Sequence, residues 1–255
     1  MEEKFTGSVE ILEQKELIAG IYSIWLNCPE VAAAARAGQF LAVYGKDKSR
    51  MLPRPISICE IDTNRRAIRM VYRVAGEGTK ELSQAVAGDS IRIMGPLGNG
   101  YDHKGGRAMV IGGGIGIPPM LELAKSIGQD VTAVLGYRDQ QFLRQDFEKV
   151  AKVYVSTEDG SDGTKGNVIN AIEENALIAD VLYACGPTPM LRGVKEYALQ
   201  HNIPCYVSLE ERMGCGIGAC LACVCKSKEV DAHTNVHNKR ICKEGPVFDV
   251  REVEF

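Results

Sequence analysis

From Phe5 to about Leu97 the apolar residues come in short β-rich runs: Ser8 to Ile11, Gly20 to Leu26, Gln39 to Val43, Pro55 to Cys59, Ala67 to Val74 and Ser90 to Ile93. Turn residues separate them, as in Gly45-Lys46-Asp47 and Asp62-Thr63-Asn64. Several strands at such spacing predict a small antiparallel β-barrel, with one helix over Thr79 to Val86.

After Gly105-Gly106 the rhythm changes to strand then helix. The apolar strands Ala108 to Ile111, Val131 to Tyr137, Val153 to Ser156 and Val181 to Ala184 alternate with helices over Pro118 to Ile127, Gln141 to Val150, Asn167 to Asn175 and Pro189 to Gln200. That alternation predicts a parallel sheet covered by helices, a nucleotide-binding type of α/β domain. From Val207 to Phe255 little helical or strand periodicity is left, so a metal cofactor is the expected organiser. The fold class is therefore α/β plus β: a barrel over 1–100, an α/β domain over 101–206 and a metal-binding segment over 207–255. No internal repeat or low-complexity run interrupts this plan.

Composition changes the picture little. A chain of 255 residues exceeds the usual single domain, and 45% hydrophobic with 25% charged residues is ordinary globular composition. The net charge of -3 gives no reason to expect nucleic acid. The start Met-Glu-Glu-Lys-Phe lacks the basic and apolar regions of a secretory signal, so a cytoplasmic protein is expected. The apolar stretch Ala108 to Ala124 is broken by four glycines and Pro118-Pro119, which argues against a membrane span.

The nine cysteines carry more information. Cys28, Cys59, Cys185 and Cys205 are scattered, whereas Cys215, Cys220, Cys223, Cys225 and Cys242 crowd the C-terminal end. Cys215-x4-Cys220-x2-Cys223, with Cys242 after eighteen further residues, is the plant-type ligand spacing of a 2Fe-2S cluster. Gly214, Gly216 and Gly218 suit it, because a loop wrapped round a cluster has little room for side chains and must aim N–H groups at sulfur. The rival is zinc on Cys220, Cys223, His233 and His237, a non-enzymatic binding module. It leaves Cys215, Cys242 and the glycines unused. Cys225 is a neighbouring thiol or a packed small residue, and a ligand only if Cys242 is not.

Two further segments point to nucleotides. Arg54-Pro55-Ile56-Ser57, then Val71-Tyr72-Arg73, then Gly76-Glu77-Gly78-Thr79, offer a guanidinium, a hydroxyl and a glycine turn at a helix start, a combination that suits a flavin. Val110-Ile111-Gly112-Gly113-Gly114-Ile115-Gly116-Ile117-Pro118-Pro119 is an apolar strand, a glycine-rich turn and a proline-started helix, as at a dinucleotide site. Cys185-Gly186-Pro187 follows a late strand facing the same crevice, which makes Cys185 a candidate neighbour of a nicotinamide ring. Glu158 and Asp159 would repel a 2'-phosphate, favouring NADH over NADPH.

Through Arg54 to Ser57, Gly76 to Thr79, Gly112 to Pro119 and Cys185 to Pro187 the chain resembles the ferredoxin reductase family. Ser208 to Cys225 and Arg240 to Phe248 look like the electron-transfer subunits of class B dihydroorotate dehydrogenases. The resemblance implies FAD held by Arg54, Pro55, Ile56, Ser57, Val71, Tyr72, Arg73, Gly78 and Thr79, NAD near Gly113, Gly114, Gly116, Cys185 and Gly186, and a 2Fe-2S cluster on Cys215, Cys220, Cys223 and Cys242. It also implies a separate FMN-containing catalytic subunit that oxidises dihydroorotate in pyrimidine biosynthesis, in a two-plus-two heterotetramer. No acid-base residue is expected here, since a substrate-oxidising TIM barrel needs about 250 residues of its own. The alternative within the same chemistry is the NADH-linked reductase subunit of a hydrogenase or ferredoxin transhydrogenase complex.

Overall fold

The computed structural model describes residues 4–47, 49, 51–128, 130–230 and 235–255. The first half folds as β1 (Phe5–Ile18), β2 (Ile21–Asn27), α1 (Pro29–Ala34), β3 (Phe40–Tyr44), β4 (Arg54–Asp62), β5 (Ala67–Arg73), α2 (Glu77–Ser83) and β6 (Ser90–Leu97). Its six strands close in the order β1-β2-β5-β4-β3-β6, every pairing antiparallel. Closure depends on the long β1, whose first part pairs β6 and whose second part pairs β2. Irregularities at Ile11/Glu13 and Glu16/Ile18 let one strand bend round both neighbours.

Period-two patterning fills the barrel. Ile24 and Leu26 on β2, Ile68 and Met70 on β5, and Ile93 on β6 are wholly buried. The opposite face of β5 carries Arg69, Val71 and Arg73 toward the second half of the molecule, where Val71 joins a different apolar cluster from Met70 and Tyr72. The short α1 was not foreseen, because six residues carry too little periodicity to separate a helical turn from a loop.

The second half runs β7 (Ala108–Gly113), a 3-10 turn, α3 (Ile117–Ile127), β8 (Val131–Tyr137), α4 (Arg144–Glu148), β9 (Lys152–Thr157), β10 (Thr164–Lys165), α5 (Val168–Glu174), β11 (Val181–Cys185), α6 (Thr188–Gln200) and β12 (Cys205–Ser208). The strand order β10-β9-β8-β7-β11-β12 reverses between β7 and β11, which opens a crevice at their carboxyl ends. No helix of the described residues is long and apolar enough to cross a membrane.

The tail holds more regular structure than its sequence suggests. β13 (Val224–Ser227), β14 (Asn238–Arg240) and β16 (Val253–Glu254) form a small sheet, while β15 (Val247–Asp249) pairs antiparallel with β12 at the edge of the large sheet. These strands are two to four residues long, too short for a periodic signal. Asn99 splices the tail to the body: its amide donates to the carbonyls of Glu244 (2.8 Å) and Val247 (3.2 Å), and its Oδ1 accepts from Val247 N–H at 3.1 Å.

Barrel and α/β halves meet through ions as well as apolar contacts. Arg69 Nη1 lies 2.6 Å from Glu60 and 3.1 Å from Asp146, and its Nε donates to Ser23 Oγ at 2.9 Å. Lys125 of α3 lies 3.1 Å from Glu60 and 3.5 Å from Glu122, whose carboxylate accepts the Ile61 N–H at 2.7 Å. With its side chain only 7% exposed, Arg69 is the cation that this network can least spare. Arg69→Met removes the buried cation shared by Glu60 and Asp146, leaving them only Lys125 and Lys149, and is expected to cost about 3 kcal/mol, read as a lower thermal midpoint. Lys15→Ala, which removes an exposed pair 3.6 Å from Glu13, should leave the midpoint in place.

Candidate functional site

Two glycine turns meet at the carboxyl ends of β7 and β11, where Gly112 stands in register with Cys185. A Cβ on Gly116 would fall 2.4 Å from the Cys185 carbonyl carbon and oxygen and 2.5 Å from Gly186 N. A Cβ on Gly113 would strike Met190 Sδ at 2.4 Å. Gly114 sits at φ +51, in the left-handed region. The absence of side chains thus lets the first βα turn lie against the Cys185-Gly186 peptide, and brings Gly113, Gly114, Gly116, Cys185 and Gly186 together in one backbone-lined crevice.

Around this crevice stand Cys185 and Arg73, expected from the sequence, and Tyr101, Ser208 and Glu210, which are not singled out there. Cys185 is fully buried, and burial pushes its thiol far up despite a hydrogen bond with Ser208, a shift that favours the protonated form. Tyr101 donates to the Ala184 carbonyl at 3.0 Å. Glu210, just past β12, still touches solvent, yet the crowding of protein raises its carboxyl pKa against the pull of Arg73. Arg73 in turn reaches from the barrel to within 3.7 Å of where a Gly114 Cβ would sit. Neither Ser208 nor Glu210 was legible as a crevice residue, because the four-residue β12 that presents them was not recognised as a strand.

On the barrel side Arg54 begins β4 and lies across Gly78 of α2, where a Cβ would come 2.1 Å from its Nε. Its Nη1 donates to the Leu52 carbonyl at 2.6 Å. Arg54 and Gly78 line a cavity of about 270 Å³ shared with Tyr44, Lys46 and Glu81. Thr79 Oγ1 accepts the N–H groups of Ala75 (2.9 Å) and Gly76 (3.2 Å), shaping the turn before the helix. Ile56 and Val71 are buried, Pro55 is exposed and Ser57 half-buried. The Tyr72 ring packs in the barrel against Tyr22, and its hydroxyl donates to Gln14 Oε1 at 3.2 Å. Gln14 then donates to the Leu82 and Ala85 carbonyls at the end of α2. From this segment the structure therefore gathers the Arg54 guanidinium and Gly78 at the cavity, while the Tyr72 side chain supports the helix from behind.

The cysteine loop shows the donor pattern of a sulfur cluster. Cys215 Sγ accepts the N–H groups of Ile217 (3.4 Å) and Ala219 (3.2 Å), Cys220 Sγ that of Cys215 (3.4 Å), Cys242 Sγ that of Gly218 (3.1 Å) and Cys223 Sγ that of Cys242 (3.4 Å). Burial works against a Cys215 thiolate, yet these N–H groups outweigh it and hold the thiol down at about 6. Burial and then the adjoining Cys223 thiol push Cys242 up to about 12. A cation at that point would deprotonate it outright. The backbone links the cysteines two by two, Cys215 N–H to Cys220 Sγ and Cys242 N–H to Cys223 Sγ.

Among the described residues no three His, Cys, Asp or Glu groups surround a single point as one ion would need. Two irons with two thiolates each fit this donor set. Cys225 turns aside, its thiol donating to the Lys239 carbonyl across the β13–β14 ladder at 3.6 Å. His237 rests against the Lys228 carbonyl at 2.9 Å, and His233 lies outside the described residues. Gly216 and Gly218 take φ of +72 and +83, and Gly216 packs on Leu97, Met94 and Ala42 of the barrel. The loop is thereby seated on β3 and β6.

Residues 210–254 match the iron-sulfur cluster binding domain of dihydroorotate dehydrogenase B. The chain is 43% identical over 256 positions to the dihydroorotate dehydrogenase B (NAD(+)) electron transfer subunit of Bacillus pumilus, covering 95% of this chain and 96% of that one. It is 41% identical over 257 positions to the subunit of that name from Fusobacterium nucleatum, with coverage of 95% and 96%. Among solved structures it resembles an NADH-dependent reduced ferredoxin-NADP oxidoreductase at TM-score 0.87 and 30% identity, over 98% of this chain and 91% of that one. A ferredoxin reductase of carbazole 1,9a-dioxygenase shares the fold at TM-score 0.67 and 18% identity, over 79% and 67%.

The close approach at Gly116 is testable apart from any activity. Gly116→Ala must part the two turns and is expected to destabilise the protein by about 2 kcal/mol or more. Gly193→Ala in α6, whose Cβ would meet Ile169 at an ordinary 3.7 Å, should instead stabilise by about 0.5–1 kcal/mol. Thermal midpoints of the two variants would move in opposite directions.

Proposed function

The chain belongs to the family of dihydroorotate dehydrogenase B electron transfer subunits, and we propose from that membership how its own residues divide the work. It is an oxidoreductase subunit with FAD, 2Fe-2S and NAD as cofactors, carrying electrons from a catalytic partner subunit to NAD+ in pyrimidine biosynthesis. The observation that carries the reading is the convergence of five backbone N–H groups on the sulfurs of Cys215, Cys220, Cys223 and Cys242, with the loop seated against the barrel.

When bound, the flavin exchanges a hydride with the nicotinamide and single electrons with the cluster, linking two-electron to one-electron chemistry. The protein's task is placement. Arg54, Gly78 and Thr79, with Pro55 to Ser57 and Val71 to Arg73, form the FAD side. The Arg54–Gly78 cradle presents one guanidinium to an anionic ligand, and Tyr72 props α2 through Gln14. Gly113, Gly114, Gly116 and Gly186 expose backbone to the dinucleotide, and the uncharged Cys185 thiol stands beside the nicotinamide as a packing surface. The loop after β9 holds Glu158, Asp159 and Asp162, and Asp162 already engages Arg144 at 2.5 Å. An extra phosphate would meet carboxylates there, which supports NADH over NADPH.

The three functional stretches are then 1–100 for FAD, 101–206 for NAD and 207–255 for the cluster. The exposed Cys220, with Ile217 and Leu221 on the same loop 47% and 42% exposed, supports this loop as the side approached by the FMN-containing partner. Four buried free thiols at Cys28, Cys59, Cys185 and Cys205 accord with a cytoplasmic, reducing location. Two copies of each subunit are the expected assembly, to be checked by light scattering on the copurified complex.

The deciding experiment is the visible spectrum of that complex, recorded anaerobically before and after dihydroorotate and then NADH. Bleaching of flavin and iron-sulfur bands by both donors is expected; bleaching by NADH alone would reassign the partner, and a colourless zinc protein would overturn the reading. Cys242→Ser should lower iron and sulfide content, whereas Cys225→Ser should leave both unchanged. Cys220→Ser should abolish transfer from dihydroorotate while sparing NADH oxidation by an artificial acceptor, and equal loss of both would count against separate sites.

A further inference from the structure

We infer that the Arg240–Glu244 pair sets the reduction equilibrium of the cluster, with Arg240 as the positioning residue that bolts its two ligand segments together. The inference rests on reading Cys215, Cys220, Cys223 and Cys242 as the cluster ligands. Those ligands come from the loop 214–223 and, far along the chain, from the turn that carries Cys242. Arg240 joins the two. Its carbonyl accepts the N–H groups of Lys243 (3.0 Å) and Glu244 (2.8 Å), closing the turn around Cys242. Its own N–H donates to Glu244 Oε2 at 2.7 Å. Across the gap, Nη1 donates to the Gly218 carbonyl at 3.0 Å, while Gly218 N–H donates back to Cys242 Sγ at 3.1 Å. One residue is thus held on both sides, its oxygen by the guanidinium and its N–H by the sulfur. The approach is tight: Gly218 has φ +83, and a Cβ there would strike Lys243 at 2.7 Å.

Charge enters through the same contacts. The Arg240 side chain is 8% exposed and that of Glu244 28%. Nε donates to Glu244 Oε2 at 3.0 Å and Nη2 to Oε1, so the guanidinium turns one edge to the carboxylate and the remaining nitrogen to the cluster loop. The cation therefore stands between Glu244 and Gly218. Cluster potentials follow net charge, hydrogen bonds to sulfur and exposure, and a buried charge acts at longer reach than one in water. One-electron reduction adds negative charge where Gly218 N–H points. Arg240 favours that charge directly and by polarising the Gly218–Ala219 peptide, whose N–H donates to Cys215 Sγ at 3.2 Å; Glu244 opposes it and holds Arg240 in place.

The two halves of the pair should then move the equilibrium in opposite senses. The test is an EPR-monitored redox titration of the cluster in the copurified two-subunit complex, with iron and sulfide assayed in each sample. Arg240→Gln frees the Gly218 carbonyl and removes the cation while the Glu244 carboxylate stays, so the reduced-to-oxidised ratio at fixed potential should fall at least about threefold. Glu244→Gln removes one negative charge beside the guanidinium, and the ratio should rise at least about threefold. Shifts of the same sign, or both ratios within about twofold of the parent, would mean a merely structural pair and overturn the inference. Should Arg240→Gln lose its cluster, Glu244→Gln decides alone: a rise supports the inference and no rise overturns it. Absence of a 2Fe-2S signal from the unsubstituted complex would overturn the cluster reading together with this one.

Discussion

A thiolate buried in protein must be met by hydrogen-bond donors, and the C-terminal fifth of the molecule is shaped by that need. Five backbone N–H groups reach the sulfurs of Cys215, Cys220, Cys223 and Cys242. To aim so many amides inward, the loop passes through left-handed conformations at Gly216 and Gly218. Those backbone turns leave it without a core of its own. It leans instead on barrel residues Ala42, Met94 and Leu97, and is tied down by Arg240 and by the Asn99 side chain. The cluster segment is thus an outgrowth of the other two folds, which also fixes its place relative to them.

The relation between barrel and α/β sheet is settled by a different kind of contact. Arg69, Glu60, Asp146, Lys125 and Glu122 lie along the contact of β4 and β5 with α3 and α4. Ion pairs of this kind often contribute no more stability than apolar side chains of equal size. They do demand one geometry. Arg73, further along β5, is consequently delivered to the mouth of the crevice, beside Gly114 and Glu210. Electron transfer between two bound nucleotides needs that kind of reproducible alignment, and here it comes from a charged seam some distance away.

What the sequence by itself determined is the chemistry that depends on local spacing. Strands of five or more residues, the βα alternation, the glycine turns and the four ligand cysteines all leave a periodic or punctuated signal, since each arises from neighbours within a few residues. Cys185 and Gly116 could be singled out as candidates in this way, but not their contact, which joins two turns some seventy positions apart. Ser208, Glu210 and Asn99 were not legible as crevice or splice residues. The first two sit on or just past a four-residue strand, and the third acts through a side chain that pairs with distant backbone.

Tertiary structure alone decided what the fifth cysteine does: Cys225 turns to the Lys239 carbonyl in the β13–β14 ladder, while Cys242 Sγ accepts the Gly218 N–H. It also decided that the Tyr72 ring turns into the barrel and that the tail lends β15 to the large sheet. The physical reason is common to these cases. Hydrogen bonds and close approaches between segments remote in sequence follow from the whole packed chain, and only a local pattern can be read before the chain is folded.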